Sequence, residues 1–272
     1  MANLNLATDQ SRDVCVWSKL KEEAATYAVK EVALSSLLHA TILDQQDLSG
    51  ALVNHLSEKL ATADFSTLKM RNVLAEALAS DPAIIDSVAQ DLQAVRERDP
   101  ACHSYLQCFL YFKGFMAITV YRVSHYLWAM NRRALACYFQ SISSEIFGVD
   151  IHPGARIGCG ILLDHATSIV VGETAIVEDN VSILHEVTLG GTGKQKGARH
   201  PIVRTGVLIG AGSKILGRVE IGACAKIGAG SVVLNDVPPH TTVAGVPAVT
   251  VGETSEASPA LEMNQSIECG QI

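Results

Sequence analysis

Aliphatic residues recur at every sixth position through the second half of this chain, and that period predicts its architecture. Ile151, Ile157, Leu163 and Ile169 open the series, and Val181 and Val187 continue it after a miss at Ala175. A second run in its own frame follows at Ile209, Ile215, Ile221, Ile227 and Val233. Small residues stand four places on in many units, at Ala155, Thr167, Ser213, Ala225 and Ser231. Glycine follows the aliphatic in Ile157-Gly158, Ile209-Gly210, Ile221-Gly222 and Ile227-Gly228. A six-residue repeat fits neither an α-helix nor a hairpin sheet; it is the pattern of a hexapeptide parallel β-helix. The period breaks once, between Val187 and Ile209, and the glycine-rich stretch Gly190 to Pro201 predicts an excursion loop over about 190–206.

The first half carries helical periodicity instead. Leu48, Leu52, Leu56 and Leu60 form one apolar stripe. Ser80-Asp81-Pro82 is a helix start, with Asp81 as cap and Pro82 in the first turn, where its missing N–H costs nothing. That helix runs through Ile84, Ile85, Val88, Leu92 and Val95 to Arg98-Asp99-Pro100, where the proline pushes Asp99 out of the α region. Two further helices are predicted over about 107–130 and 133–147. The expected organisation is a poorly ordered stretch 1–12, an α-helical bundle 13–148 suited to assembly, a β-helix 149–249 closed by Ala244-Gly245-Val246-Pro247-Ala248, and a polar, flexible tail 250–272.

Composition narrows the function. A net charge of −7 argues against a nucleic-acid partner. The most apolar window, Phe109 to Met130, is interrupted by Lys113, Arg122 and His125, so it reads as a buried helix and not a membrane span. The N-terminus has no apolar signal core. Seven cysteines without a CxxC pair read as reduced thiols of a cytoplasmic protein.

Charge is segregated within the β-helix. Glu145, Asp150, Asp164, Glu173, Glu178, Asp179 and Glu186 face one Arg156 in the first part; Lys194, Lys196, Arg199, Arg204, Lys214 and Arg218 follow with no acid among them. Such a cluster suits an anionic ligand such as a phosphorylated cofactor, or is a solvated basic loop. Gly193-Lys194 is no P-loop: Thr188 stands where the first glycine belongs and Gln195 replaces the Ser/Thr. Asp164-His165 is a candidate general base, a metal ligand or ordinary surface. An 18-residue coil would place Asp150 beneath position 168, three residues from His165, with adjacent coils about 4.7–4.9 Å apart. From there a carboxylate can fix the imidazole tautomer and stabilise the imidazolium.

Asp150-Ile151-His152-Pro153, Leu163-Asp164-His165-Ala166-Thr167, Val171-Gly172-Glu173-Thr174, Val187-Thr188-Leu189-Gly190-Gly191-Thr192 and Arg199-His200-Pro201 resemble the bacterial serine acetyltransferases. The closure at 244–248 and the upstream run Asp91 to Pro100 resemble them too, so the likeness spans roughly Trp17 to Gly252. It implies a left-handed β-helix and transfer of acetyl from acetyl-CoA to the L-serine hydroxyl, the first committed step of cysteine synthesis. In that family pattern His165 is the general base and Asp150 orients it, with direct attack on the thioester and no metal. Asp99 and Asp164 would meet the serine ammonium, and Arg199 with His200 its carboxylate. Acetyl-CoA would lie near Gly191, Thr192, Ala211, Gly212, Lys226 and Ala229. The resemblance further implies feedback inhibition by L-cysteine, a homotrimer or pair of trimers with sites between protomers, and insertion of Ile272 into O-acetylserine sulfhydrylase.

Alternatives remain at this point. Cys159 or Cys224 as nucleophile matches no family motif. A homoserine-, sugar- or antibiotic-directed acetyltransferase would not need the helical segment ending at Asp99-Pro100. A zinc enzyme would enlist His165, His185 and His200. A non-catalytic partner of the sulfhydrylase would have lost its base, yet Asp150 and His165 are both present.

Overall fold

The computed structural model describes residues 9–193 and 196–267. Its helical half comprises α1 (Asp9–Lys30), α2 (Val32–Leu38), a π-helical turn at His39–Leu43, α3 (Leu48–Leu60), α4 (Thr67–Ser80), α5 (Ala83–Arg98), α6 (Tyr105–Tyr111), α7 (Lys113–Ala129) and α8 (Arg133–Phe147). The leucine stripe of α3 is buried throughout, and Asp47 caps that helix by accepting from the Gly50 amide. Asp81 accepts from the Ala83 amide at the start of α5, and Asp99 leaves that helix in an extended conformation.

The single helix expected over 107–130 is two. The chain breaks at Phe112, and α7 then starts hard against the β-helix. A Cβ on Gly114 would lie 2.0 Å from the Leu163 carbonyl oxygen, so only glycine lets the first turn of α7 sit on that strand. A continuous helix would carry the chain past this seat. Most of α7 is buried, as its composition predicts, and no described helix is long and apolar enough to cross a membrane.

Gly148, at φ +68°, ends α8 and turns the chain into the coils. Thirteen short strands follow: β1 (Val149–Ile151), β2 (Arg156–Ile157), β3 (Leu162–Leu163), β4 (Ile169–Val171), β5 (Ile176–Val177), β6 (Ser182–Ile183), β7 (Thr188–Gly190), β8 (Ile202–Val203), β9 (Leu208–Ile209), β10 (Lys214–Leu216), β11 (Glu220–Ile221), β12 (Lys226–Ile227) and β13 (Val232–Val233). They stack as three parallel sheets, β1-β4-β7-β10-β13, β2-β5-β8-β11 and β3-β6-β9-β12, the faces of a β-helix prism. The third sheet is extended by β14 (Thr241–Gly245) and the antiparallel β15 (Ala248–Glu253).

The register corrects the expected phase. Ile151 pairs with Val171, and Leu189 with Ile215. The stacked strand positions therefore run 151, 157, 163, then 171, 177, 183, 189, then 203, 209, 215, 221, 227 and 233. The period is broken twice, not once: by two extra residues between Leu163 and Val171, and by eight between Leu189 and Val203. Ile169, Ala175, Val181 and Val187 belong to the neighbouring series at the prism corners, which is also buried. Ala175 was thus no miss. Each unit offers two buried positions, and a count by sixes slides from one to the other without registering the insertion.

The polar composition of residues 250–267 predicts no packing, but this segment lies against the prism. Strand β15 runs to Glu253, and a short helix α9 (Pro259–Glu262) follows. Its Ala260 amide donates to the Gly206 carbonyl and its Ala260 carbonyl accepts from the Ser182 hydroxyl. Among the described residues this contact with the prism reaches Ile267, which packs over Gly228. Buried apolar residues from Val16 to Val243 form one continuous core across the helical half and the prism.

Candidate active site

The two-residue insertion creates the first half of the site. Asp164 to Ser168 turn the corner from β3 to β4, with His165, Ala166 and Ser168 all at φ between +54° and +62°. Three left-handed non-glycine residues in one corner hold strain that only the surrounding packing maintains. Here Ser168 donates to the Gly148 carbonyl, Glu186 to the Thr167 carbonyl, and Ala166 is fully buried; the Lys113 ammonium bonds the Thr167 hydroxyl. The result is an imidazole pushed outward: the His165 side chain is 77% exposed, while its neighbour Asp164, 3.8 Å away, is 18% exposed.

Burial raises the Asp164 pKa above the ordinary carboxylate value, and the negative charge of Asp99 raises it further against the lowering influence of His165 and His185. Asp99 is therefore close enough for its charge to be felt at Asp164. His185, one coil up at the same corner, stands edge-on to His165 with ring centroids 5.9 Å apart. The corner continues through Gly212, whose amide donates to the His185 carbonyl, and through Ala211, which accepts from Gly230 beside Ala229. Asp164, His165, Ala211, Gly212 and Ala229 thus form one ladder along a single prism edge.

The second interruption builds the other half. Loop 191–201 leaves β7 and returns to β8, and its end is pinned by Thr174. The Thr174 hydroxyl accepts from the Arg199 and His200 amides and lies 2.8 Å from His200 Nδ1. The Thr174 amide donates to the same nitrogen, so these partners assign the ring proton to Nε2. Burial, with the Arg199 charge next, lowers the His200 pKa and keeps the ring neutral at pH 7. Arg199 is held by Glu173 at 2.9 Å, and the Glu173 pKa falls accordingly. Arg218 clamps both Thr174 and His200 carbonyls. Glycine is required beneath this ring, because a Cβ on Gly172 would lie 2.1 Å from it. Gly191 lies against Arg199 and His200, with Thr192 beyond it near Gly217.

Within one chain the structure gathers the expected residues in two groups. Asp99, Asp164 and His165 meet at one edge of the five-stranded sheet; Arg199, His200, Gly191 and Thr192 meet at the other. A three-residue strand lies between, roughly 10 Å of chain. Asp150 corrects a further expectation. The first coil is 20 residues long, so Asp150 opposes Val170 and not position 168. Its Oδ1 accepts from Gln140 on α8 at 2.7 Å, and no bond joins it to His165 among the described residues of the chain. Lys226 is also elsewhere: it is buried, bonded to the Asn264 and Ser266 carbonyls and 3.6 Å from Glu256. Lys194 and Ile272 lie outside the described residues.

The sequence does not mark Glu173, Thr174 and Arg218 as site residues, although Val171-Gly172-Glu173-Thr174 is visible in it as a motif. The missing information was the register that stacks this motif under the loop. The rival residues disperse. Cys159 and Cys224 lie at a different corner, and burial with Asp179 raises the Cys159 pKa to about 11, against a nucleophilic role. His200 stands at the sheet edge opposite His165 and His185, and no described group of three His, Cys, Asp or Glu residues could hold a metal.

Comparison with known proteins adds independent observations. The family described as "Serine acetyltransferase, N-terminal" matches residues 16–120, and "Bacterial transferase hexapeptide (six repeats)" matches residues 200–235. The serine acetyltransferase of Salmonella typhimurium is 55% identical over 250 residues, 92% of each chain. A solved serine acetyltransferase in complex with cysteine superposes with a TM-score of 0.92 at 54% identity, covering 93% of this chain and 99% of that one. The enzyme of Brucella abortus in complex with coenzyme A gives 0.87 at 50% identity, covering 89% and 96%. Soybean serine acetyltransferase complexed with serine gives 0.86 at 52% identity, covering 88% and 98%.

Proposed function

This chain belongs to the serine acetyltransferase family, and from that premise we propose how its own residues carry the reaction. It transfers acetyl from acetyl-CoA to the hydroxyl of L-serine, giving O-acetyl-L-serine and CoA, a step of cysteine biosynthesis. Relatives solved with cysteine, coenzyme A and serine support these ligands. The observation that carries the residue assignment is the split of the site into an acidic edge with an exposed imidazole and an opposite edge with a fixed guanidinium. A zwitterionic amino acid needs both.

Two copies supply them together. The Asp99–Asp164–His165 edge of one protomer faces the Arg199–His200 edge of its neighbour in a trimer. Asp99 and Asp164 take the ammonium, and Arg199 takes the carboxylate. A serine hydroxyl is too weak an acid to ionise at neutral pH, so His165 accepts its proton as the oxygen attacks the thioester carbonyl. The C–S bond then breaks and the imidazolium returns the proton to the departing thiolate of CoA. Asp150, held by Gln140 and not bonded to the imidazole of its own chain among the described residues, orients that of a neighbouring protomer. Acetyl-CoA lies along the Ala211, Gly212 and Ala229 corner and reaches Gly191 and Thr192 across the interface. Lys226, held by the Asn264 and Ser266 carbonyls, is left out of this contact set.

Thiol release in a mixture of acetyl-CoA with serine, homoserine or an amino sugar tests this reading. Serine is the expected acceptor, inhibited by added L-cysteine, and silence with serine overturns the proposal. The C-terminal Ile272 is proposed to bind O-acetylserine sulfhydrylase. Its deletion should abolish that association while acetylation continues; surviving association removes the tail from this role.

A further inference from the structure

A buried arginine immediately precedes Asp99, and its surroundings are costly for the fold. Arg98 is 7% exposed; its two terminal nitrogens bond the Ser182 hydroxyl at 3.2 Å and Asn180 Oδ1 at 3.0 Å. Among the described residues no carboxylate bonds it, and burial lowers its pKa to about 10. Beside it, the fully buried Asp91 accepts two bonds from Arg122, at 2.8 and 2.6 Å, and one from the Ile161 amide. Arg122 also donates to the Gly158 carbonyl. Two guanidinium groups and one carboxylate are thus withdrawn from water at the junction of α5, α7 and the first two coils. Such groups add little net stability against apolar replacements of similar size. What they do provide is direction.

Every bond from this cluster to the prism falls between Gly158 and Ser182, at the corner preceding β3 and β6. From β3 the chain passes directly to Asp164. On the other side Arg98 is the last residue of α5, and Asp99 follows with its Oδ1 tied to the Ala101 amide. The cluster thus fixes the end of α5 against the same coils that present Asp164. A shift of the helix end by an ångström would separate the two carboxylates by as much.

We infer that Arg98, anchored on Asn180 and Ser182, is a positioning residue that sets the distance between Asp99 and Asp164 and so determines recognition of the amino-acid ammonium. The inference rests on the reading of Asp99 as an ammonium contact. Arg98 touches no substrate. It acts on serine and on any competing amino acid alike, and leaves the thioester side of the reaction unchanged.

The test uses full-length enzyme and measures KM for serine, KM for acetyl-CoA, kcat and cysteine inhibition. Arg98→Lys cannot span both partners. Asn180→Gly removes one acceptor, and glycine suits the left-handed conformation that Asn180 adopts at φ +57°. Both should raise the serine KM roughly tenfold and weaken cysteine inhibition to match, the size of one misplaced charged contact, with kcat and the acetyl-CoA KM within about twofold. Asn180→Asp keeps an acceptor for the guanidinium and should retain the parent serine KM. Asp99→Asn separates the two layers of the argument. If it leaves the serine KM unchanged, the ammonium reading of Asp99 fails and this inference with it. If it raises that KM while Arg98→Lys and Asn180→Gly do not, the positioning role alone fails. Proportionate loss in kcat and in both KM values, or no recovery in Asn180→Asp, would show a merely structural role and also overturn it.

Discussion

At the scale of single residues, the exposed His165 and the buried His200 show how one side-chain type is placed in two environments by the backbone around it. His165 is lifted into solvent by a corner with three left-handed residues, with the neighbouring Asp164 carboxylate 3.8 Å away. His200 is packed on Gly172 and fixed by Thr174. Replacing His165 by Ala should lower kcat by about 10²–10⁴, the usual contribution of a general base, with acetyl-CoA binding retained. A fall of less than tenfold in a thiol-release assay removes it from that role. Replacing Gly172 by Ala puts a methyl group 2.1 Å from the His200 ring, so the ring and the Arg199 segment must shift. Its serine KM and its cysteine inhibition should worsen together by roughly tenfold, with the acetyl-CoA KM held. A variant with parent kinetics for serine would show that the loop end has no part in recognising the amino acid.

At the scale of elements, α3 carries a group whose titration reports on the helical half. His55 is buried against Phe109, with ring centroids 5.3 Å apart, and burial, aided by Lys59, lowers its pKa to about 4. The unfolded chain takes up a proton near pH 6.5, but the folded chain resists it until about pH 4. The native state then binds fewer protons across this window, and stability is lost as the pH falls through it, by about 3 kcal/mol in all. His55→Phe keeps the stacked ring and removes the proton, so its denaturant midpoint should fall less than the parent's between pH 6.5 and 4.5. Equal falls would place the acid sensitivity elsewhere. The helix itself was legible from its leucine stripe, because a 3.6-residue period leaves one reading. The coils were legible only in kind. Ile169 and Val171 are both buried, so the six-residue count passed over the insertion that makes the Asp164–His165 corner and misplaced Asp150 by two positions. The division of α6 from α7 was hidden for a different reason. It depends on the fit of Gly114 to the Leu163 carbonyl, a contact between residues far apart in the chain.

At the scale of the whole molecule, the separation of the two edges decides what a protomer can do alone. A site completed within one chain would die with either His165 or Arg199, and mixing the two defective chains would restore nothing. A site shared between neighbours behaves otherwise. Subunits carrying His165→Ala still offer an intact Arg199 edge, and subunits carrying Arg199→Ala an intact His165 edge. In trimers assembled at random from equal amounts of both, an interface is intact when the right edges meet, which gives roughly a quarter of the parent activity overall and about a third in the trimers that contain both kinds of subunit. Co-expression with two different tags and purification on both selects the mixed assemblies for a thiol-release assay. Activity no higher than that of either variant alone would place the complete site within one protomer and refute the shared arrangement. Recovery near the expected fraction would tie the segregation of charge along this chain to its assembly: the acidic edge and the basic loop are kept apart within a protomer because each is complementary to the other on the next copy.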